Sequence, residues 1–345
     1  MLSTLKGTML AGTLVGGALT ARFSSRTLVL AALLMSAAGL GLLPFQTSIW
    51  LILLCGMLAQ FSEALMNVVQ RLLLMDQVEH AHQKEALGWM RMVNNFAQVF
   101  SFSVAALGAR LGLTPLMLFD SFTSLSAFFI GRKILPRREG PAESGRGLGG
   151  DMASAGASKW TFFRMALVLM GWSFFYELFL EGGAGRLEIL HPGQGLHRFS
   201  TMMILNTVLC AAFAVQATKL FTKPWLAILG GMLLTVLGIL LAGWGMASQV
   251  WVFGGMLLVT MGELMVGSTA QYTLMRLTPA GSKAGFYYSL GISLMQGGRI
   301  IGAAVSFPLL IHASRLGPFT ALMIGVFALQ LAVLWSLRGE IGRLA

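Results

Sequence analysis

Charge is scarce in this 345-residue chain: Asp, Glu, Lys and Arg together supply 11% of it, where a soluble domain carries about 25%. Hydrophobic residues make up 56%, so an ordinary water-soluble globule is excluded. Cysteine is nearly absent. Cys55 and Cys210 both lie in apolar stretches, without a second Cys or a His at metal-ligand spacing, and two are too few for a disulfide framework. They read as small packing residues. Catalytic signatures are missing as well: the chain contains no G-x-x-x-x-G-K-S/T loop, no H-E-x-x-H and no G-x-S-x-G. That pattern points away from an enzyme, a cofactor or a metal site. Nothing near Met1 resembles a cleavable signal peptide, since the apolar stretch from Lys6 to Arg22 has no small-residue cleavage site.

What the chain has in abundance is long apolar runs. A membrane helix needs about 20 predominantly apolar residues. Stretches near that length fall at about 3–21, 27–45, 48–70, 88–109, 113–131, 161–181, 199–218, 224–246, 250–273, 285–310 and 316–337. Continuous runs predict helices, because barrel strands would alternate over about ten residues. Turn signals separate the runs: Pro44, Pro115, Pro224, Thr278-Pro279-Ala280-Gly281 and Gly317-Pro318. The expectation is an all-α membrane protein with eleven spans surrounded by a lipid bilayer.

Basic residues give the orientation. With the Arg22/Arg26 loop placed inside, 18 of the 24 Lys and Arg fall in inside loops or at their edges, Arg91 among them. Lys6, Arg110, Arg186, Arg198 and Arg315 fall outside, and Arg299 lies within a span. The formal charge of +11 is therefore a topology signal and no nucleic-acid footprint. Both the C-terminus and the central linker are expected on the cytoplasmic side.

Residues 132–159, rich in Gly, Ser, Ala and charge, read as that linker. It divides an N-terminal bundle (1–131, five spans) from a C-terminal one (160–345, six spans). The halves resemble each other. Residues 57–75 placed over 257–275 pair Glu63 with Glu263, and Arg22…Arg26 falls over Lys219…Lys223, as Lys84 does over Lys283. This is the mark of a parallel internal repeat. Span 3–21 then matches 199–218, the second of its half, and nothing matches 161–181. The repeat thus carries the expectation that one N-terminal helix is absent from this chain.

Six plus six helices with a basic central linker and a repeated basic loop resemble the major facilitator superfamily. The signature of that family's loop, G-x-x-x-D-R-x-G-R-R, stands here as Gly17-Ala18-Leu19-Thr20-Ala21-Arg22-Phe23-Ser24-Ser25-Arg26. Gly17, Arg22 and Arg26 remain as a gate-loop motif, while Ala21 and Ser24 depart from it. Trp89-Met90-Arg91-Met92-Val93-Asn94-Asn95 and Leu118-Phe119-Asp120-Ser121-Phe122-Thr123-Ser124 are similar to the fifth and sixth helices of its drug-efflux-like branch. Gly262-Glu263, with Leu277-Thr278-Pro279 and Lys283-Ala284-Gly285, is similar to the tenth helix and its loop. No Gly-Pro motif of the antiporter kind occurs between Gln98 and Ala106. The resemblance implies two helical bundles, a secondary transporter working by alternating access, and a monomer in the plasma membrane (the inner membrane of a bacterium). It also implies partners limited to a small-molecule substrate and protons.

A charge at the centre of a span costs roughly 2.5–3.5 kcal/mol and marks a functional candidate. Glu63 and Glu263 lie near the middle of their spans, where a carboxylate can take up and release a proton or tie helices together. Arg299 is read as counter-ion to one of them or as a grip on an anionic substrate. Asp120 is a pathway candidate for which a structural hydrogen-bonding role is the favoured reading, and Glu177 stands at a cavity mouth or in solvent. Asn94, Asn95, Gln98 and Gln296 supply polar amides, as interhelical ties or as ligands. Trp172, Phe174, Phe175 and Tyr176 form either an aromatic wall or an interfacial belt. Gly12…Gly16 and Gly298…Gly302 are spacings for close helix packing. Proton-driven efflux is the leading expectation, with nutrient import and a non-transporting scaffold or sensor as alternatives.

Overall fold

The computed structural model describes residues 2–136, 158–245, 249–279, 283–311 and 316–343. The chain folds into helices α1 (Leu2–Leu19), α2 (Ser25–Leu42), α3 (Ile49–Gln77), α4 (Gln83–Leu111), α5 (Leu113–Ile134), α6 (Lys159–Leu190), α7 (Gly195–Leu220), α8 (Pro224–Gly245), α9 (Gln249–Arg276), α10 (Ala284–Ile311), α11 (Leu316–Ser336) and the short α12 (Arg338–Gly342). Among the described residues there is no strand. The eleven long helices among the described residues coincide with the eleven apolar runs. Most of the linker expected at 132–159 lies outside the described residues.

Among the described residues, six stretches are long and apolar enough to cross a membrane on length and composition alone: Ser25–Phe45, Ile49–Gln77, Lys159–Ile189, His197–Leu220, Pro224–Ala242 and Val250–Arg276. Eleven were expected. α4 shows why composition alone selects fewer, because Arg91, Asn94, Asn95 and Gln98 interrupt its apolar character. Side chains such as Phe122, Ile134, Leu329 and Trp335 stand exposed, a surface that water penalises and lipid solvates.

Local sequence explains the helix starts. Ser24 and Ser158 cap α2 and α6, each accepting from the backbone N–H three residues on at 3.2 Å, which satisfies one orphan donor of the first turn. Pro224 opens α8, while Pro115 and Pro318 sit in the first turns of α5 and α11. Proline is tolerated there because those N–H groups have no helical acceptor. The turns signalled by Pro115 and Gly317-Pro318 are thus helix starts.

The chain forms two compact units, Met1–His80 with Phe100–Gly156 and Thr278–Ser293, and Ala81–Val99 with Ala157–Leu277 and Leu294–Ala345. In the first, α3 packs against both α1 and α2, and α5 lies on α2. Leu28, Val29 and Ala32 of α2 meet Leu65 and Val69 of α3 in its core. Gly12 lets α1 approach α3: a Cβ there would stand 2.7 Å from the Phe61 carbonyl oxygen, and one at Gly16 would stand 3.0 Å from Leu65. Gly39 does the same for α2 against Cys55 and Ala59. Gly17 of α1 lies against Gly285 and Ser289 at the start of α10, where a Cβ would overlap the serine side chain.

In the second unit α8 packs along α9, α7 lies on α6 and α9, and α11 on α6. A Cβ at Gly238 would stand 2.5 Å from the Gly255 carbonyl oxygen, and one at Gly255 would stand 2.5 Å from that of Gly238. Gly238 and Gly255 occupy the places of Gly39 and Cys55 in the repeat, so the same crossing is built twice on small residues. Gly298 and Gly302 draw α10 onto the backbone of α6 at Met170 and Phe174, as their spacing predicts. Arg338 lies over the paired rings of Trp225 and Trp335, 5.3 and 5.1 Å from their centroids, and fastens the end of α11 to α8.

Substituting valine for Gly238 forces α8 off α9. Overpacking of this kind costs about 1–3 kcal/mol, so Gly238→Val lowers the thermal unfolding midpoint in detergent. Gly325 has open space around it, and Gly325→Ala leaves the midpoint unchanged or raises it, with up to about 1 kcal/mol gained in helix propensity.

Candidate functional site

Glu263 lies midway along α9 and is the best-supplied carboxylate among the described residues. Arg91 of α4 donates from Nη2 to its Oε1 at 2.6 Å. Its other oxygen, Oε2, accepts from the Tyr176 hydroxyl of α6 at 2.9 Å and from the Asn206 amide of α7 at 3.0 Å. Four helices of the second unit therefore meet on one side chain. The ion pair is largely enclosed, with side-chain exposures of 18% for Arg91 and 13% for Glu263.

The surrounding sequence builds this cluster. Thr260, Glu263 and Gly267 share a face of α9 by their spacing of three and four. Gly267 makes the room, since a Cβ there would overlap the Arg91 guanidinium. Thr260 accepts from the same Asn206 amide at 3.0 Å while donating to the Met256 carbonyl at 2.8 Å. The Cys210 thiol of α7 is buried close to both Arg91 and Glu263. Trp172 stacks on Tyr176 with centroids 5.6 Å apart and donates to Thr235 at 3.3 Å. Asn206 and Tyr176, two of the donors to Glu263, are thus themselves braced.

The residues singled out in the sequence fare differently. Arg299 is not the counter-ion of Glu263; Arg91 is. The Arg299 guanidinium stands 6.0 Å over the Tyr176 ring, because both oxygens of the glutamate are already occupied. Arg91 escaped notice as a residue near the inner end of its run. The signals that could have found it are Gly267, one turn beyond Glu263, and the polar stripe Arg91-Asn95-Gln98 on α4. Asn206 carried no signal of its own. Asn95 is buried and donates to the Arg91 carbonyl at 3.0 Å, while Asn94 and Gln98 are exposed. Gln296 is half-buried. Glu177 is half-buried where Gly302 of α10 packs on α6. Trp172, Phe175 and Tyr176 are buried within the unit, so they form an internal wall and no interfacial belt.

In the first unit Glu63 and Asp120 are both exposed and close enough for their charges to repel. Among the described residues neither carboxylate has an ion pair or a hydrogen bond. The repeat thus places equivalent glutamates in unlike surroundings. Of the gate-loop motif, Gly17 is buried, Arg22 is exposed and Arg26 donates to the Arg132 carbonyl at 2.6 Å, capping the last turn of α5. Near the start of α4, Glu85 pairs with Lys219 at 2.9 Å. Lys84 donates to the Phe221 carbonyl, and burial holds its ammonium below the usual lysine range.

The sequence matches the model of the Major Facilitator Superfamily over residues 1–303. No curated protein matches it by sequence. Solved structures resemble it closely in fold. The human organic anion transporter MFSD10 (TETRAN) has a TM-score of 0.71 at 20% identity, covering 96% of this chain and 82% of its own. The proton:xylose symporter XylE, bound to 6-bromo-6-deoxy-D-glucose, has 0.71 at 12%, covering 97% and 85%. A variant of the Escherichia coli fucose:proton symporter FucP has 0.70 at 11%, covering 98% and 91%. Identities this low speak for the shared fold alone.

Removing one partner of an enclosed ion pair strands the other. Arg91→Leu is expected to destabilise the protein by about 3–5 kcal/mol, measured by thermal unfolding in detergent. The double variant Arg91→Leu/Glu263→Leu recovers most of that loss, because no buried charge is left alone. Additive losses in the two single variants would show that the pair is not coupled.

Proposed function

Since the chain belongs to the Major Facilitator Superfamily and has its transporter fold, we propose that this secondary transporter exports a small molecule in exchange for protons, with Glu263 as the group that couples the two. The observation that carries this reading is the Arg91–Glu263 pair with Tyr176 and Asn206 on the second carboxylate oxygen. An ionised Glu263 ties α4, from the first half of the sequence, to α9, from the second. A protonated Glu263 loses the charge that holds Arg91, while Tyr176 and Asn206 still donate to its carbonyl oxygen. Proton binding thus loosens the tie between α4 and α9 without dissolving the site. That is a two-position element which a proton gradient can drive through the alternating states of a midplane transporter.

Efflux draws its support from the runs Trp89–Asn95 and Leu118–Ser124, which resemble the drug-efflux-like branch. Glu63, with Asp120 beside it, is the second proton-pathway candidate. We place the protein in a plasma membrane as a monomer, with the C-terminus and the linker cytoplasmic, in keeping with the distribution of its basic residues.

The test is transport in sealed proteoliposomes carrying a trapped pH dye, with a panel of small molecules supplied on one side. A substrate of the unaltered protein moves protons in the opposite direction. Glu263→Gln lowers this proton movement by about tenfold or more, a loss of the size general acid–base groups supply, while substrate exchange without a gradient persists. Glu63→Gln lowers it less. Full proton coupling in Glu263→Gln would remove the mechanism, and protons moving with the substrate would reverse the assigned direction.

A further inference from the structure

The polar cluster around Glu263 contains two cations and one anion. Arg91 neutralises Glu263 at 2.6 Å, and both glutamate oxygens are filled by Arg91, Tyr176 and Asn206. Arg299, near the middle of α10, is left over. It is half-buried, its neighbour is the face of Tyr176 at 6.0 Å, and among the described residues it has neither a carboxylate partner nor a hydrogen bond. A ring face attracts a cation but accepts none of the five N–H groups of a guanidinium. An enclosed charge without a partner is costly, and such residues in membrane helices mark substrate pathways. One turn away on the same face of α10, the Gln296 amide is half-buried and makes no hydrogen bond among the described residues.

We propose that Arg299, with Gln296 beside it, binds the carboxylate of a small organic anion, and that this anion is the transported substrate. The proposal rests on the transporter reading above and names the substrate class of the same site. A carboxylate fits because its two oxygens match the guanidinium fork in one plane, while the amide N–H₂ of Gln296 donates to whichever oxygen faces it. Tyr176 joins the two functions: its ring lies under Arg299, and its hydroxyl holds Glu263. An anion on Arg299 therefore sits one side chain away from the proton-sensitive pair.

The experiment uses the full chain in detergent, with benzoate, hexanoate and succinate as probes. Each is compared with its uncharged amide and with sodium chloride at the same ionic strength. At least one carboxylate raises the thermal unfolding midpoint where its amide and chloride do not. Arg299→Gln raises the concentration needed by about tenfold or more, the loss expected for a charge-assisted hydrogen bond. Arg299→Lys, which keeps the charge and loses the fork, falls between the two. Should Arg299→Gln not fold, the lysine variant and the carboxylate–amide comparison on the unaltered chain decide the matter. Stabilisation by no carboxylate beyond its amide and chloride, or stabilisation undiminished in the Arg299 variants, overturns the proposal. A carboxylate that binds through Arg299 and is not carried into proteoliposomes would leave the binding site standing and remove the transporter reading. Proton-coupled movement of a neutral or cationic compound, undiminished in Arg299→Gln, would do the reverse.

Discussion

A charge surrounded by hydrocarbon must find an opposite charge and a full set of hydrogen bonds, or it destabilises the fold that holds it. Glu263 meets that demand with a cation on one oxygen and two neutral donors on the other. Much of the second unit is arranged around this requirement. Gly267 is bare so that a guanidinium fits, Thr260 engages Asn206, and Trp172 braces the ring of Tyr176. The polar groups are few, and most answer to one carboxylate. That concentration ties α4, α6, α7 and α9 to a single side chain.

The internal repeat makes the contrast with Glu63 informative. The two glutamates occupy matching positions, and the helix crossings beside them are built alike, with Gly39 and Gly238 at corresponding contacts. Their electrostatic settings have diverged. Glu263 is enclosed and satisfied, whereas Glu63 is exposed beside a second carboxylate. Duplication preserves the backbone geometry because close packing tolerates little change. The charged side chains are under no such constraint, and the two halves differ there.

The fold was legible in the sequence because the membrane imposes a length and a composition on each helix. All eleven apolar runs became helices, and the glycine spacings at Gly12…Gly16 and Gly298…Gly302 became close contacts. Glu263 was legible for the same reason, as a charge where charge is rare. Its partner was not. Arg91 lies near the beginning of a long helix, where a basic residue ordinarily belongs to the membrane surface, and only the three-dimensional crossing of α4 and α9 brings it inward. Asn206 and Thr260 are residue types too common in membrane helices to stand out. Their role is a matter of convergence, which spacing along one helix does not encode. Arg299 was legible as an anomaly, with a glutamate partner and an anionic substrate both open to it.

Where α8 meets α9, the carbonyl of Gly238 and that of Gly255 each lie where the other residue would carry its first side-chain carbon. Main chain rests on main chain there, with no flexible group between to absorb a displacement. A slide of either helix by one residue would bring a bulkier neighbour into that gap. The two helices are therefore bound to travel as one strut, and any rearrangement that alternates access must be taken up at other, side-chain-lined contacts.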